Sequence, residues 1–245
     1  MKLNCDLGES FGSWKMGLDS KVMPYIDQAS IACGFHAGDP LTLVNTLNLA
    51  AKHNVDIGAH PSYPDIVGFG RRSMQCSQEE LSAMMLYQIA AVDGVAKSQS
   101  LSLTFVKPHG ALYNDMMKNE PIRQTILQSI SQYNQSGDRA LKLMIQATPQ
   151  FSQHKDEAKR YKVELLAEAF ADRCYADDGS LLSRQHEKAI HTQEKMLQQV
   201  KQLKEQGTIT TVQGKTIALT VDSLCVHGDN MAAVKLIANI KKILS

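Results

Sequence analysis

The sequence predicts a single α/β domain folded as a seven-stranded (β/α) barrel of the TIM-barrel type. Three observations point there. Short apolar runs with strand character alternate with helix-patterned segments along the whole chain. Six of those runs end in a tight cluster of Gly with His, Asp, Glu or Lys. The length, 245 residues, suits one barrel, and no Gly/Ser/Pro-rich linker divides it. A barrel builds one site from the C-terminal ends of successive strands, so decoration repeated there is its signature. An open, doubly wound sheet is the structural alternative. Its ligands gather at one switch point, whereas here nearly every strand end is decorated.

The first strand is placed at Lys2–Cys5, followed by a polar loop holding Gly12, Trp14 and Gly17 and a short helix near Ser20–Met23. The second strand is Gln28–Cys33. Asp39-Pro40 then opens a helix, Asp39 as N-cap and Pro40 at the first helical position. Leu41, Val44 and Leu47 keep its period. The third strand, Val55–Ala59, leads into a long loop from His60 to Arg72. Ser77 and Glu80 have capping-box spacing and start a helix reaching about Lys97. The fourth strand is Leu103–Lys107, with a helix over Glu120–Tyr133. The fifth strand is Leu141–Ala147, with a polar helical stretch at Gln153–Tyr161. The sixth is Val163–Glu168. Gln193–Gln206 reads as a solvated outer helix. The seventh strand is placed at Ile217–Val221, with continuation to Val226 left open, and the last helix at Met231–Leu244.

Composition narrows the function classes. Lys and Arg total 26 against 25 Asp and Glu, and no dense basic tract suggests nucleic acid. No apolar run approaches the ~18 residues of a membrane span. The N-terminus shows no basic-then-apolar leader pattern. The five cysteines are odd in number and form no CxxC pair, which fits a reduced, cytoplasmic protein.

Strand parity selects the site residues. Side chains alternate between faces, so if Asp6 points into the barrel mouth, Asn4 does too, while Cys5 faces the helices. His36 lies between Gly34 and Gly38, and His60 follows a strand end. With Asp6, these histidines make a candidate divalent-metal set. Lys107 and His109 share one parity, and Lys107 suits a developing anion, a phosphate or a carboxylate. Glu168 ends the sixth strand and by parity joins Glu164. Buried there, it would be a candidate general acid or base. Arg71, Arg72 and Arg173 can each offer a fork to a substrate carboxylate. His227 and Asp229 share parity with Cys225 and suit a base with its orienting carboxylate. Cys225 itself reads as packing rather than as a nucleophile. Gly214-Lys215-Thr216 has the tail of a phosphate-binding loop, but Ile209 stands where its first Gly belongs and a strand follows.

Taken together, several motifs resemble the LamB/YcsF family over essentially the whole chain. They are Asn4-x-Asp6-x-Gly8-Glu9, Ala32 to Pro40, Gly58 to Asp65 with Gly68 to Arg72, Lys107 to Asn114, Glu168 to Arg173, and Val226 to Asp229. Glu187-Lys188 and Met231-Ala232 stand where the family usually has Pro-Gly pairs, which bears on local loop geometry. The resemblance implies a barrel related to the glycoside hydrolase/deacetylase group. It also implies ATP-dependent opening of 5-oxoproline to L-glutamate, with ATP converted to ADP and phosphate, and two partner subunits, B and C of a 5-oxoprolinase. On that basis Asp6, His36, His60 and His227 are expected around the lactam carbon. Glu168 or Asp229 is expected to activate water, Lys107 to stabilise the oxyanion or phosphate, and an arginine to hold the carboxylate. The alternative reading is a metal-dependent deacetylase acting on an N-acetylated sugar or related amide.

Overall fold

Seven parallel strands close into a barrel: β1 (Lys2–Leu7), β2 (Gln28–Ala32), β3 (Asp56–His60), β4 (Leu103–Val106), β5 (Lys142–Gln146), β6 (Leu165–Phe170) and β9 (Ser223–Val226), with β9 hydrogen-bonded to both β6 and β1. The computed structural model describes residues 1–136, 139–183, 186–228 and 231–244. Closure excludes the open doubly wound alternative.

The helices form where local chemistry places them. In α2 (Pro40–His53), Asp39 Oδ1 accepts from Thr42 N at 2.9 Å, and Asn54 ends the helix in the left-handed region at φ 53°. The α3 helix (Gln78–Ser98) opens with the full capping box: Glu80 N donates to Ser77 Oγ and Ser77 N donates to the Glu80 carboxylate. The outer faces of the strands pack on these helices; Leu3, Cys5, Leu7, Ile57, Ala59, Leu143 and Leu224 belong to that buried layer. The remaining helices are α1 (Asp19–Val22), running into a 3₁₀ turn at Met23–Tyr25, then α4 (Gly110–Lys118), α5 (Glu120–Ser136), α6 (Phe151–Arg160), α7 (Gln193–Gln206) and α8 (Met231–Leu244). No helix among the described residues is long and apolar enough to cross a membrane.

Two elements differ from expectation. The stretch expected as the seventh barrel strand is split. Thr216–Ala218 (β8) pairs antiparallel with Thr208–Thr210 (β7) in a separate hairpin, and the barrel strand begins only at Ser223. Periodicity saw one apolar run. The chain breaks it at Asp222, whose carboxylate accepts from Ala167 N at 2.8 Å and so sets the start of β9 beside β6. The α4 helix directly after His109 was not anticipated, because Lys107-Pro108-His109-Gly110 reads as a loop. The Gly214-Lys215 segment is the hairpin's turn, closed by Thr211 N to Lys215 O at 2.8 Å, and not a phosphate loop.

Candidate active site

The polar strand ends meet at the C-terminal mouth of the barrel, and Lys107 is their centre. Lys107 leaves β4 buried, with its ammonium 2.7 Å from Asp6 Oδ1, 3.2 Å from Asn4 Oδ1 and 3.5 Å from Cys225 Sγ. Its three donors are thereby used. Glu168 Oε1 also lies 2.7 Å from the ammonium, as a charge contact off the donor directions. Glu168 is wholly buried, and its Oε2 accepts from Tyr113 Oη at 2.8 Å. Burial works against the Lys107 charge, but Asp6 and Glu168 hold its pKa well above the ordinary lysine value. Burial likewise opposes the Asp6 charge, but His60 and Lys107 hold its carboxyl well below the usual range. Both groups are therefore ionised at neutral pH.

A second cluster adjoins the first. His60 Nε2 is 3.3 Å from Asp6 Oδ2 and 3.0 Å from His109 Nδ1. His36 stacks on His109 with ring centroids 3.8 Å apart and planes at 3°, and its Nε2 is 3.2 Å from Glu9 Oε1. Burial pushes the His36 and His109 pKa values well down, and the neighbouring imidazoles push the same way. Burial pushes the Glu9 carboxyl up. The loop after β3 closes over the stack. Phe69 meets both rings edge-on, and Gly70 at φ 63° passes so close that a β-carbon there would lie 2.8 Å from His109 Cδ2 and His36 Cβ. Only glycine combines that φ with that approach.

A third group stands at the rim. His227, one-quarter exposed, has Nδ1 3.0 Å from Asp172 Oδ2. Asp229, expected as the orienting carboxylate, lies outside the described residues. Asp172 fills that role from the end of β6.

The structure therefore brings Asp6, His36, His60, Lys107, His109, Glu168 and His227 together, as strand parity indicated. It moves others. Glu164 precedes β6, is exposed, and pairs with Lys142 at 2.6 Å, so it does not join Glu168. The turn at Lys162, with φ 57°, starts the strand later than expected. Glu168 is sealed beneath Lys107 and Tyr113 and meets no solvent, so it positions the lysine instead of activating water. Asn4 is wholly buried between Lys107 and Ser223, whose Oγ is 2.7 Å from Asn4 Nδ2. It supports the lysine from below. Arg72 is held by Asp65, with Nε 3.0 and 3.1 Å from its two oxygens, and anchors the loop. Arg173 is buried against the Leu182 carbonyl. Arg71 lies over Phe69, 5.2 Å from its ring, and its charge helps depress His36. Three site residues escaped sequence reasoning, Asp172 among them. Tyr113 sits on the unanticipated helix α4. Glu9 was legible only as the last residue of the Asn4-to-Glu9 motif.

A parallel barrel whose ionisable groups converge at its C-terminal mouth belongs to the TIM-barrel-like α/β class with an enzyme-type site. Within that class the chain belongs to the LamB/YcsF family, whose family model matches residues 1–245. Among similar proteins, the 5-oxoprolinase subunit designated A of Vibrio parahaemolyticus is 46% identical over 245 residues, covering 100% of this chain and 95% of that protein. Its counterpart in Pseudomonas putida, the second of that designation, is 47% identical over 243 residues, covering 99% and 93%. Among solved structures, the lactam utilization protein of Thermus thermophilus superposes with a TM-score of 0.89 at 33% identity, covering 100% of this chain and 95% of that one.

Proposed function

We propose that this chain is the lactam-opening subunit of an ATP-dependent 5-oxoprolinase, hydrolysing 5-oxo-L-proline to L-glutamate while ATP becomes ADP and phosphate. The relatives are named as one lettered subunit of a 5-oxoprolinase, which supports work within a multi-subunit assembly. The family resemblance supplies subunits B and C as the partners. The observation that carries the reading is the ionised Asp6–Lys107 pair facing the mouth with His60 beside it.

A five-membered lactam is a poor electrophile with an amine leaving group. Transfer of the γ-phosphoryl group of ATP to the lactam oxygen releases ADP and activates the ring carbon. Water adds to that carbon, the ring nitrogen takes a proton and leaves, and an acyl phosphate remains. A second water hydrolyses it to L-glutamate and phosphate, which balances the reaction. His227, oriented by Asp172, is placed to take the proton from water and return it to the ring nitrogen. Lys107, whose donors are held by the chain, acts on the oxygen that gains charge through the field of its ammonium, in a setting too dry to screen it. Asp6 fixes the Lys107 ammonium. Arg71 holds the substrate carboxylate.

The test is glutamate release from 5-oxoproline by the chain with and without its co-purifying proteins. The reading expects ATP-dependent release by the assembled proteins. Release without ATP, or none from the assembly, counts against it.

A further inference from the structure

Hydrogen bonding at the histidine cluster leaves two nitrogens in conflict. His60 Nδ1 is 2.6 Å from the Lys107 carbonyl oxygen, and a carbonyl can only accept, so Nδ1 carries the proton. His109 Nε2 is 3.0 Å from the Phe69 carbonyl oxygen and carries its proton for the same reason. In neutral rings this leaves His60 Nε2 and His109 Nδ1 as lone pairs, 3.0 Å apart and buried. Asp6 Oδ2 at 3.3 Å and Glu9 Oε1, 3.8 Å from His109 Nδ1, add further acceptors to the same space. Acceptors facing one another in a buried site need a positive centre between them.

We infer that Glu9, His60 and His109 form a binding site for one divalent transition-metal ion of the zinc type, while His36, stacked face to face on His109 and so unable to aim a lone pair at the same ion, holds Glu9 through its Nε2 at 3.2 Å. Donor chemistry and spacing support this. One ligand atom from each of the three lies within 4.8 Å of the other two. A tetrahedral zinc ion bound at about 2.0–2.1 Å separates neighbouring donors by about 3.3 Å. The structure gives 3.0 Å for His60–His109 and 3.8 Å for His109–Glu9. Both imidazoles give their second N–H to a backbone carbonyl, which is how metal-bound histidines are oriented. Phe69 and Gly70 close an apolar lid on the ring stack.

The site differs from the Asp6–His36–His60 set read in the sequence. Asp6 is engaged by Lys107 and borders the cluster through His60, while Glu9 supplies the carboxylate. A bound ion supplies Lewis-acid polarisation beside Asp6. The inference stands apart from the reaction proposed above, because metal content is measured without turnover.

The experiment is metal analysis of the full chain, prepared without a polyhistidine tag or chelator, after loading with zinc and, separately, cobalt. The expected result is close to one ion per chain with visible cobalt ligand-field absorption. Both should be lost in His109→Gln and in Glu9→Gln, and kept in His53→Gln at the end of α2. X-ray absorption of the zinc-loaded wild type should show imidazole ligands, a readout that holds even if a variant fails to fold. Substoichiometric metal with no cobalt band, equal binding by His109→Gln, or a zinc shell without imidazole would each overturn the inference.

Discussion

The Lys107 ammonium lies 2.7 Å from Glu168 Oε1, and both side chains are almost fully withdrawn from solvent. A buried charge is tolerated only with partners, and here Asp6 completes the set at 2.7 Å from the same ammonium. Lys107→Met should strand two buried carboxylates and cost about 3–5 kcal/mol of stability. Adding Glu168→Gln to it should recover part of that loss, because the second change removes an unpaired charge. Denaturant unfolding of the two single variants and the double variant measures the coupling. Strictly additive losses would mean that the pair does not act as a unit.

Gly70 lets the loop after β3 close on the histidine stack. Gly70→Ala combines a φ of 63° with a β-carbon 2.8 Å from two histidine atoms. The left-handed conformation alone costs about 1–2 kcal/mol for a residue with a side chain. Thermal unfolding should show at least that loss, and turnover should fall because His36 and His109 must shift. A variant with unchanged stability and activity would mean the loop moves aside freely.

The cysteines at the barrel should be inert. Burial pushes the thiols of Cys5 and Cys225 well up, and that of Cys33 to about 12. Near neutral pH all three stay protonated, and a thiol is a poor nucleophile. Cys225→Ala should retain activity, and alkylation should need unfolding first. Stoichiometric inactivation by labelling of Cys225 in the folded protein would contradict this.

Asp65 gives a pH signature. Hydrogen bonds from Arg72 hold its pKa at about 2, below the roughly 3.9 of an unfolded aspartate. A depressed folded pKa contributes stability that is complete above the unfolded value and is lost as pH falls through the folded one. The wild type should therefore lose stability between about pH 4 and pH 2 in part through this pair. Asp65→Asn should flatten that part of the curve. Urea midpoints measured across the range compare the two. Identical slopes would show that the pair adds nothing.

Much of the mouth was legible because a strand has period two. Asp6 with Asn4, Lys107 with His109, and Cys225 with His227 were matched by parity, and each lies where parity puts it. Parity did not distinguish a residue facing the mouth from one sealed beneath it. Asn4 and Glu168 point inward but sit under Lys107, which depends on barrel depth, not on periodicity. Asp172 as the partner of His227 required knowing that β6 and β9 are neighbours, and nothing local in the chain encodes that closure. The split of the Thr216–Val226 stretch was hidden because hairpin and barrel strand are both apolar there. The Glu9 carboxylate joined the histidines only once the β1 and β2 loops were packed together.

The most direct measurement is ATP-dependent release of L-glutamate from 5-oxo-L-proline by the chain assembled with its partner subunits, comparing wild type with Asp6→Asn. Loss of the Asp6 charge frees Lys107 from its anchor, so turnover should fall by at least about 100-fold, with assembly and folding intact. Turnover at the wild-type rate in Asp6→Asn would contradict a role for this mouth in the reaction.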